Sequence, residues 1–259
     1  MSAGAQLSIV VPARLASQRF PRKLLAPVLG KPLILWTAEA IQRAQPELPL
    51  WFAVGDSELA EMLTAEGYRI IQTDPDLASG TDRLAVANRE IGAEAILNVQ
   101  ADEPLVSRKQ IEALAALLEN PGVEMATLAT PFESVEAFKD VNNVKVVRDE
   151  TGRALYFSRA SIPYPRGHYA ELTPDTLHAN GCLHHLGLYA YRASLLEAFS
   201  SWPPGRLEQV EKLEQLRALE RGIPIAVGVV DERTLGVDTP EDLPRLEALL
   251  QARSGDLDT

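Results

Sequence analysis

LSIVVPARLASQRFPRK, residues 7–23, sets a short apolar run directly before a cluster of cations. Leu7 to Pro12 is continuous, apolar and rich in β-branched residues, and reads as a buried strand. From Ala13 to about Lys31 the chain reads as a long loop carrying Arg14, Arg19, Arg22 and Lys23. That is four cations in ten positions, against 25 Lys and Arg in all 259 residues. In open α/β sheets ligands bind beyond the carboxyl ends of the strands. Arginine can grip phosphate oxygens with a bidentate fork, and lysine acts as a point charge. Neither G-x-x-x-x-G-K-[ST] nor G-x-G-x-x-G follows the strand, so a P-loop and a dinucleotide fingerprint are both absent. A polyanion here would be held by side chains. By composition alone the cluster is equally compatible with a solvated basic loop.

Outward from this stretch, short apolar runs alternate with helical patterns. A helix is expected over 32–44, a strand over 50–54, and a helix over 58–66 with Ser57 as its cap and Gly67 as its stop. A strand over 69–72, a helix over 81–91 and a strand over 95–99 follow. Ser107 then opens a helix whose apolar face holds Ile111, Leu114, Leu117 and Leu118. This alternation predicts βαβ units and a mostly parallel sheet. Beyond residue 122 the rhythm changes. Strands are expected over 125–130, 144–147, 155–158 and 183–191, with Asp149-Glu150-Thr151-Gly152 as a hairpin turn. A long helix over 207–221 stopped by Gly222, a strand over 223–230 and a helix over 242–252 close the chain, whose last six residues should fray. The expectation is one α/β domain with a mixed or antiparallel insertion around 125–190, suited to a subunit interface or a substrate lid.

Charge narrows the function. With 36 Asp and Glu the net charge is −11, which disfavours sequence-independent nucleic-acid binding and docking on an anionic membrane. No apolar run reaches the length of a membrane span, and the N-terminus lacks the basic and apolar regions of a signal peptide. Cys182 is the single cysteine, so no internal disulfide can form. These readings point to a soluble cytoplasmic protein.

The order of residues says more than their number. VVPARLASQRFPRKLL resembles the N-terminal signature of the sugar-activating cytidylyltransferases, and most closely the 3-deoxy-manno-octulosonate cytidylyltransferase family, whose members read I-P-A-R-x-x-S-T-R-L-P-G-K-P-L there. Pro12, Ala13, Arg14, Ser17, Arg19, Pro21 and Lys23 match; Gln18, Phe20, Arg22 and Leu24 depart. SGTDRL (79–84) resembles the family segment that contacts cytosine and ribose. NVQADEP (98–104) resembles N-V-Q-G-D-E-P, with Ala101 for glycine. ALYFSRASIPYPR, HHLGLYAYR, LEQVEKLEQLR and GVDTPEDL resemble four further blocks in the family's order.

The resemblance implies a Rossmann-like nucleotide-diphospho-sugar transferase fold. It implies an enzyme that joins CTP to Kdo, an eight-carbon sugar acid, giving CMP-Kdo and pyrophosphate for lipopolysaccharide biosynthesis. It also implies a homodimer. Arg14, Ser17, Arg19, Lys23, Ser79, Gly80, Thr81, Arg83 and Gln100 are its nucleotide-binding residues, and Arg14, Arg19, Lys23 and Asp102 its catalytic ones. Mg²⁺ would be held by Asp102 and Asp238. Asp102 follows a strand at its carboxyl end, as a metal-binding carboxylate should, although Asp is also favoured in turns, and Asp238 before Thr-Pro also suits a helix cap. Arg159, His185, Tyr189, Glu214 and Gln215 match positions lining the acceptor pocket. Arg159 suits the sugar carboxylate. Glu214 and Gln215, adjacent on the expected helix, would diverge by about 100°. His184 and His185 on one strand point to opposite faces and cannot readily share a zinc ion with Cys182. The nearest alternative substrates are an 8-amino analogue of Kdo and sialic-type acids.

Overall fold

The structure, a computed structural model, describes residues 6–17, 19–167, 169–232 and 236–255. Gln18 and residues 256–259, part of the tail expected to fray, lie outside them. The chain forms two compact units, residues 1–108 with 234–259, and residues 109–233. The stretch 125–190 lies within the second.

The first unit opens with β1 (Leu7–Ala13), then a small hairpin of β2 (Pro27–Val28) and β3 (Lys31–Pro32), and α1 (Leu33–Ala44). It continues through β4 (Leu50–Val54), α2 (Ser57–Ala65), β5 (Arg69–Gln72), α3 (Gly80–Ile91) and β6 (Ala95–Asn98). The strands pair in parallel in the order β6-β1-β4-β5, with Val10 beside both Trp51 and Asn98. β1 and β6 are buried along almost their whole length, as the continuous apolar runs require of a parallel sheet covered on both faces. Ser57 is not the cap of α2 but its first residue. Asp56 holds the cap position, and its carboxylate turns away to accept from the Leu15 amide at 2.8 Å. That contact ties the cation loop to α2.

The second unit contains α4 (Arg108–Leu117), β7 (Met125–Pro131), α5 (Val135–Lys139), β8 (Lys145–Arg148), β9 (Ala154–Ser158) and α6 (Pro174–Ala179). β10 (Leu183–Arg192), α7 (Ala193–Ser201), α8 (Arg206–Glu211), α9 (Leu216–Leu219) and β11 (Ile225–Val229) complete it. Its sheet runs β11-β7-β10-β8-β9, with β11 parallel to β7 and the other pairs antiparallel. The expected 149–152 turn joins β8 to β9. Asp149 accepts from the Thr151 and Arg153 amides, and Gly152 adopts φ 83°.

One long helix over 207–221 does not form. Lys212 takes φ 55°, ψ 46°, which ends α8, and helical structure resumes only at Leu216. Tertiary contacts on both sides account for the break. Glu211 is drawn onto the end of β9, and Arg217 folds back onto Glu208 at 2.5 Å. α7 was also not expected, although Leu195, Leu196 and Phe199 form its buried stripe.

The chain returns to the first unit with α10 (Leu243–Gly255). Val28, Leu33, Leu105, Val237, Leu246 and Leu250 form a buried cluster there, with Phe20 and Trp36 packed against it. Phe20 sits among the loop cations, Leu105 follows Asp102 and Val237 precedes Asp238. Apolar anchors from three separate segments therefore hold three charged segments at one place. Phe20, where the family pattern has leucine, preserves that anchor.

Arg22 stands where the family pattern has glycine. Its backbone adopts the left-handed conformation, φ 60°, that glycine tolerates freely. The turn is therefore kept, and the guanidinium pairs with Glu58 at 2.6 Å instead of joining the neighbouring cations. Replacing Arg22 by Gly or by Ala removes that pair equally, but only alanine retains the backbone strain. Arg22→Gly should melt a few degrees above Arg22→Ala. Equal melting temperatures would show that the turn is not left-handed.

Candidate active site

Beyond the carboxyl ends of β1 and β6 the first unit forms an open cavity of about 760 Å³, a size suited to a nucleotide. Arg14, Ser17, Arg19 and Lys23 line it from the loop after β1. Gly80, at the first turn of α3, and Gln100 and Asp102, after β6, also line it. Ser79 and Thr81 do not. Ser79 caps α3, its hydroxyl accepting from the Asp82 amide at 3.1 Å, and Thr81 is buried.

Arg83 borders the cavity but is only 1% exposed. Its guanidinium donates to the Thr73 hydroxyl and to the carbonyls of Asp74 and Pro75. Burial, and then the charge of Arg14, lower its pKa from the usual guanidinium value. Arg83 therefore braces the segment after β5 from beneath the cavity. Gly55 makes room for it, because a Cβ there would stand 2.7 Å from Arg83 Nη1. Gly55→Ala should cost about 1–2 kcal/mol by overpacking, read as a lower urea midpoint. An unchanged midpoint would mean that the guanidinium moves aside freely.

Two carboxylates converge at the cavity rim from positions far apart in sequence. Lys23 Nζ donates to the Asp102 carboxylate, donates to the Val237 carbonyl at 2.8 Å, and lies 3.9 Å from Asp238 Oδ1. Arg19 pairs with Asp238 at 2.7 Å. The backbone around each acid is fixed without its carboxylate. The Ala101 carbonyl accepts from Thr37 at 2.9 Å, and the Asp102 carbonyl accepts from the Val237 amide at 3.2 Å. Helix capping by Asp238 is not observed. Asp242 takes that work, accepting from the amides of Asp238 and Thr239. Ala101 has no positive φ, so its replacement of a family glycine strains nothing. Glu103 is buried, and Gly236 leaves it space, since a Cβ there would stand 3.1 Å from its Oε1.

This donor set fits Mg²⁺. The acids are hard oxygen donors already gathered around one cationic atom, and Mg²⁺ commonly takes one or two carboxylates with phosphate oxygens and waters. Among the described residues no group of three or more His, Cys, Asp and Glu could hold a metal. The remaining ligands would come from substrate and solvent.

The residues assigned to the sugar all lie in the second unit. Arg159 follows β9 and is held closely. Its Nε donates to the Glu211 carbonyl at 2.8 Å, its Nη1 to the Val141 carbonyl at 3.1 Å, and its amide to the Glu211 carboxylate at 2.9 Å. The other Glu211 oxygen accepts from Ser158 at 2.6 Å. Buried Lys145 donates to the carbonyls of Arg159 and Asp140, and burial lowers its pKa. Glu211 and Lys145 thus fix Arg159, and neither was singled out from sequence. A glutamate on an expected helix reads as solvent-facing, so no signal marked it.

His185 and Tyr189 are neighbours, with ring centroids 5.4 Å apart. Burial, reinforced by His184, pushes the His185 imidazole down to about 3. Burial, then Tyr191 and Glu214, hold the Tyr189 phenol well above its usual value. Glu214 and Gln215 are not adjacent on a regular helix. Glu214 lies in the turn after Lys212, where Arg217 reaches it at 3.4 Å, and buried Gln215 precedes α9. His184 stacks on Phe132 and His185 meets Phe157 edge-on. Buried Cys182 packs with Phe138 and Leu177, its thiol pushed up to about 11.

Residues 8–226 match the model of the family described as cytidylyltransferase. The chain is 45% identical over 95% of its length to the 3-deoxy-manno-octulosonate cytidylyltransferase of Syntrophotalea carbinolica, covering 98% of that protein. It is 47% identical over 93% of its length to the same-named protein of Syntrophobacter fumaroxidans, covering 95% of it. Among solved structures it resembles CMP:2-keto-3-deoxy-manno-octonic acid synthetase complexed with CTP. That match has a TM-score of 0.86 and 35% identity, over 96% of this chain and all of the other.

Proposed function

Because the chain belongs to the 3-deoxy-manno-octulosonate cytidylyltransferase family, we propose that it couples CTP to Kdo, forming CMP-Kdo and releasing pyrophosphate. The observation that carries this reading is the convergence of Asp102 and Asp238 on Lys23, at the rim of a cavity lined by Arg14 and Arg19. That is the arrangement needed to neutralise a triphosphate and present its α-phosphorus to an acceptor. On the family resemblance, we take the product to feed lipopolysaccharide assembly in the cytoplasm and the working form to be a homodimer.

The anomeric hydroxyl of Kdo attacks the α-phosphorus. The new oxygen–phosphorus bond forms as the bond to the β-phosphate bridging oxygen breaks in line, and the hydroxyl proton passes to solvent. No covalent enzyme intermediate is required. Arg14, Arg19 and Lys23 offset the charge on the triphosphate and on departing pyrophosphate. Gln100 and the first turn of α3 bound the nucleotide. Arg159, held by Glu211, offers a cation to the sugar carboxylate, and Tyr189, Glu214 and Gln215 offer hydrogen bonds. Asp102 and Asp238 would hold Mg²⁺, which supplies charge neutralisation and lowers the pKa of a bound hydroxyl.

The deciding assay is pyrophosphate release with each of CTP, GTP, ATP and UTP, using Kdo as acceptor, and then with CTP and Kdo, its 8-amino analogue or a sialic acid. Turnover confined to CTP and fastest with Kdo is expected. Faster turnover with another acid would reassign the substrate, and no pyrophosphate from any acid would end the enzymatic reading.

A further inference from the structure

Four residues along a regular strand cover about 13 Å at 3.3 Å per residue. His185 and Tyr189 are four apart on β10, yet their rings are 5.4 Å apart. The register accounts for this. His185 pairs with Ala129 and Leu186 with Leu128, but the next pair on β7 is Tyr189 with Thr127. Gly187 and Leu188 are extra residues without partners on β7, which makes a bulge. The bulge brings His185 and Tyr189 to neighbouring positions on one face, opposite Ala129 and Thr127.

A single buried hydroxyl occupies the inside of the bulge. Thr127 is wholly buried. Its Oγ1 lies 2.7 Å from the Leu188 carbonyl, 3.1 Å from the Leu186 carbonyl and 3.0 Å from His185 Nε2. A hydroxyl has one proton and two lone pairs, and carbonyl oxygens only accept. Donation to Nε2 would leave both hydroxyl lone pairs facing carbonyl oxygens, whereas donation to the nearer carbonyl, Leu188 at 2.7 Å, turns a lone pair to Nε2 and is the favoured arrangement. That arrangement calls for a hydrogen on Nε2. Burial keeps the ring neutral, so Nδ1 carries the remaining lone pair. Among the described residues Nδ1 has no hydrogen-bond partner.

We propose that Thr127 is a positioning residue of the sugar-acid pocket: its hydroxyl closes the β10 bulge and holds His185 as the Nε2–H tautomer, leaving Nδ1 to accept a hydrogen bond from a sugar hydroxyl. This rests on the reading that His185 and Tyr189 contact the sugar. It makes His185 an acceptor that orients the substrate, not a proton shuttle.

The test uses the full chain. Thr127→Val keeps the shape and removes the hydroxyl, and Thr127→Ser keeps the hydroxyl. Thr127→Val should raise KM for Kdo by at least about tenfold, because the buried Nε2–H loses its acceptor and a bulge carbonyl loses its donor. Its KM for CTP should stay within about twofold, and Thr127→Ser should restore KM for Kdo to within about threefold of wild type. Nitrogen-15 NMR of histidine-labelled wild-type protein at pH 7, with His185 assigned by its loss in His185→Gln, should show a neutral ring protonated on Nε2. An Nδ1–H or charged ring in wild type would overturn the proposal whether or not the valine variant folds. So would a folded Thr127→Val with unchanged KM for Kdo, or a serine variant as impaired as the valine one. If wild type released no pyrophosphate from CTP and Kdo, the pocket role would fall with the sugar-acid reading, while the tautomer would still be decided by the spectrum.

Discussion

Asp102→Asn should lower turnover by at least about a thousandfold while melting within a few degrees of wild type. The two halves of this expectation come from different atoms. The backbone at Asp102 is fixed by Thr37 on the Ala101 carbonyl, by the Val237 amide on the Asp102 carbonyl, and by the Glu103 amide on the Gln100 carbonyl. None of these uses the carboxylate, and the amide of asparagine can still accept from Lys23. What disappears is one negative charge of a converging pair, and with it the hard anionic donor that the proposed Mg²⁺ would need. Phosphoryl transfer depends on positioning and charge stabilisation with little covalent work by the protein. Losing a single preorganised electrostatic partner in such sites costs about a hundred- to a thousandfold, and loss of the proposed metal ligand would add to that. Manganese binding in the presence of CTP, followed by calorimetry, should weaken in parallel with turnover. Near-normal turnover, or lost turnover with undiminished manganese binding, would remove Asp102 from the metal site. A variant that no longer melts cooperatively would show instead that Lys23 and Asp102 hold the loop together.

The parallel half of the fold was legible because its strands are short, continuous apolar runs separated by glycine, proline and capping residues. β1, β4, β5 and β6 lie within a residue or two of their expected bounds. The second unit was harder for identifiable reasons. The break at Lys212 has no local cause in LEQVEKLEQLR; it is imposed by Glu211 reaching Ser158 and Arg159, residues more than fifty positions away. The bulge at Gly187 and Leu188 is equally non-local, because register depends on a partner strand. Thr127 shows how such a feature stays hidden, since a threonine within MATLATP reads simply as a β-former. The site behaves in the same way. The cations of the first loop were visible as a cluster, and both aspartates stood in the family's order. Nothing in spacing showed that Lys23 would stand between two acids more than 130 positions apart, or that the Arg83 guanidinium, at the edge of the cavity, would donate to the carbonyls after β5.

Stability should fall by about 3 kcal/mol between pH 7.5 and pH 4.5 through His185 alone. The residue is 9% exposed, and its ring lies between Phe157 and Tyr189 against the Thr127 hydroxyl, with His184 next to it in sequence. Burial lowers its pKa from about 6.5 to about 3. Below 6.5 the unfolded chain therefore binds a proton that the folded protein does not take up until about pH 3. The unfolded state holds more protons throughout that window, so stability rises with pH across it and declines as pH falls. At pH 4.5 the difference amounts to about two pKa units, each worth about 1.4 kcal/mol. Carboxylates add their own loss at the acid end, so the measurement is a difference. Urea unfolding of wild type and His185→Gln at pH 7.5, 6.0 and 4.5 should show the stability gap between the two proteins closing, or reversing, by about 3 kcal/mol towards acid. A gap that stays constant would mean that the ring titrates in the folded protein as it does in water. A histidine that charges so readily would no longer have to be the fixed acceptor that the Thr127 hydroxyl implies, and a wider gap at pH 4.5 would mean that a nearby carboxylate stabilises the imidazolium.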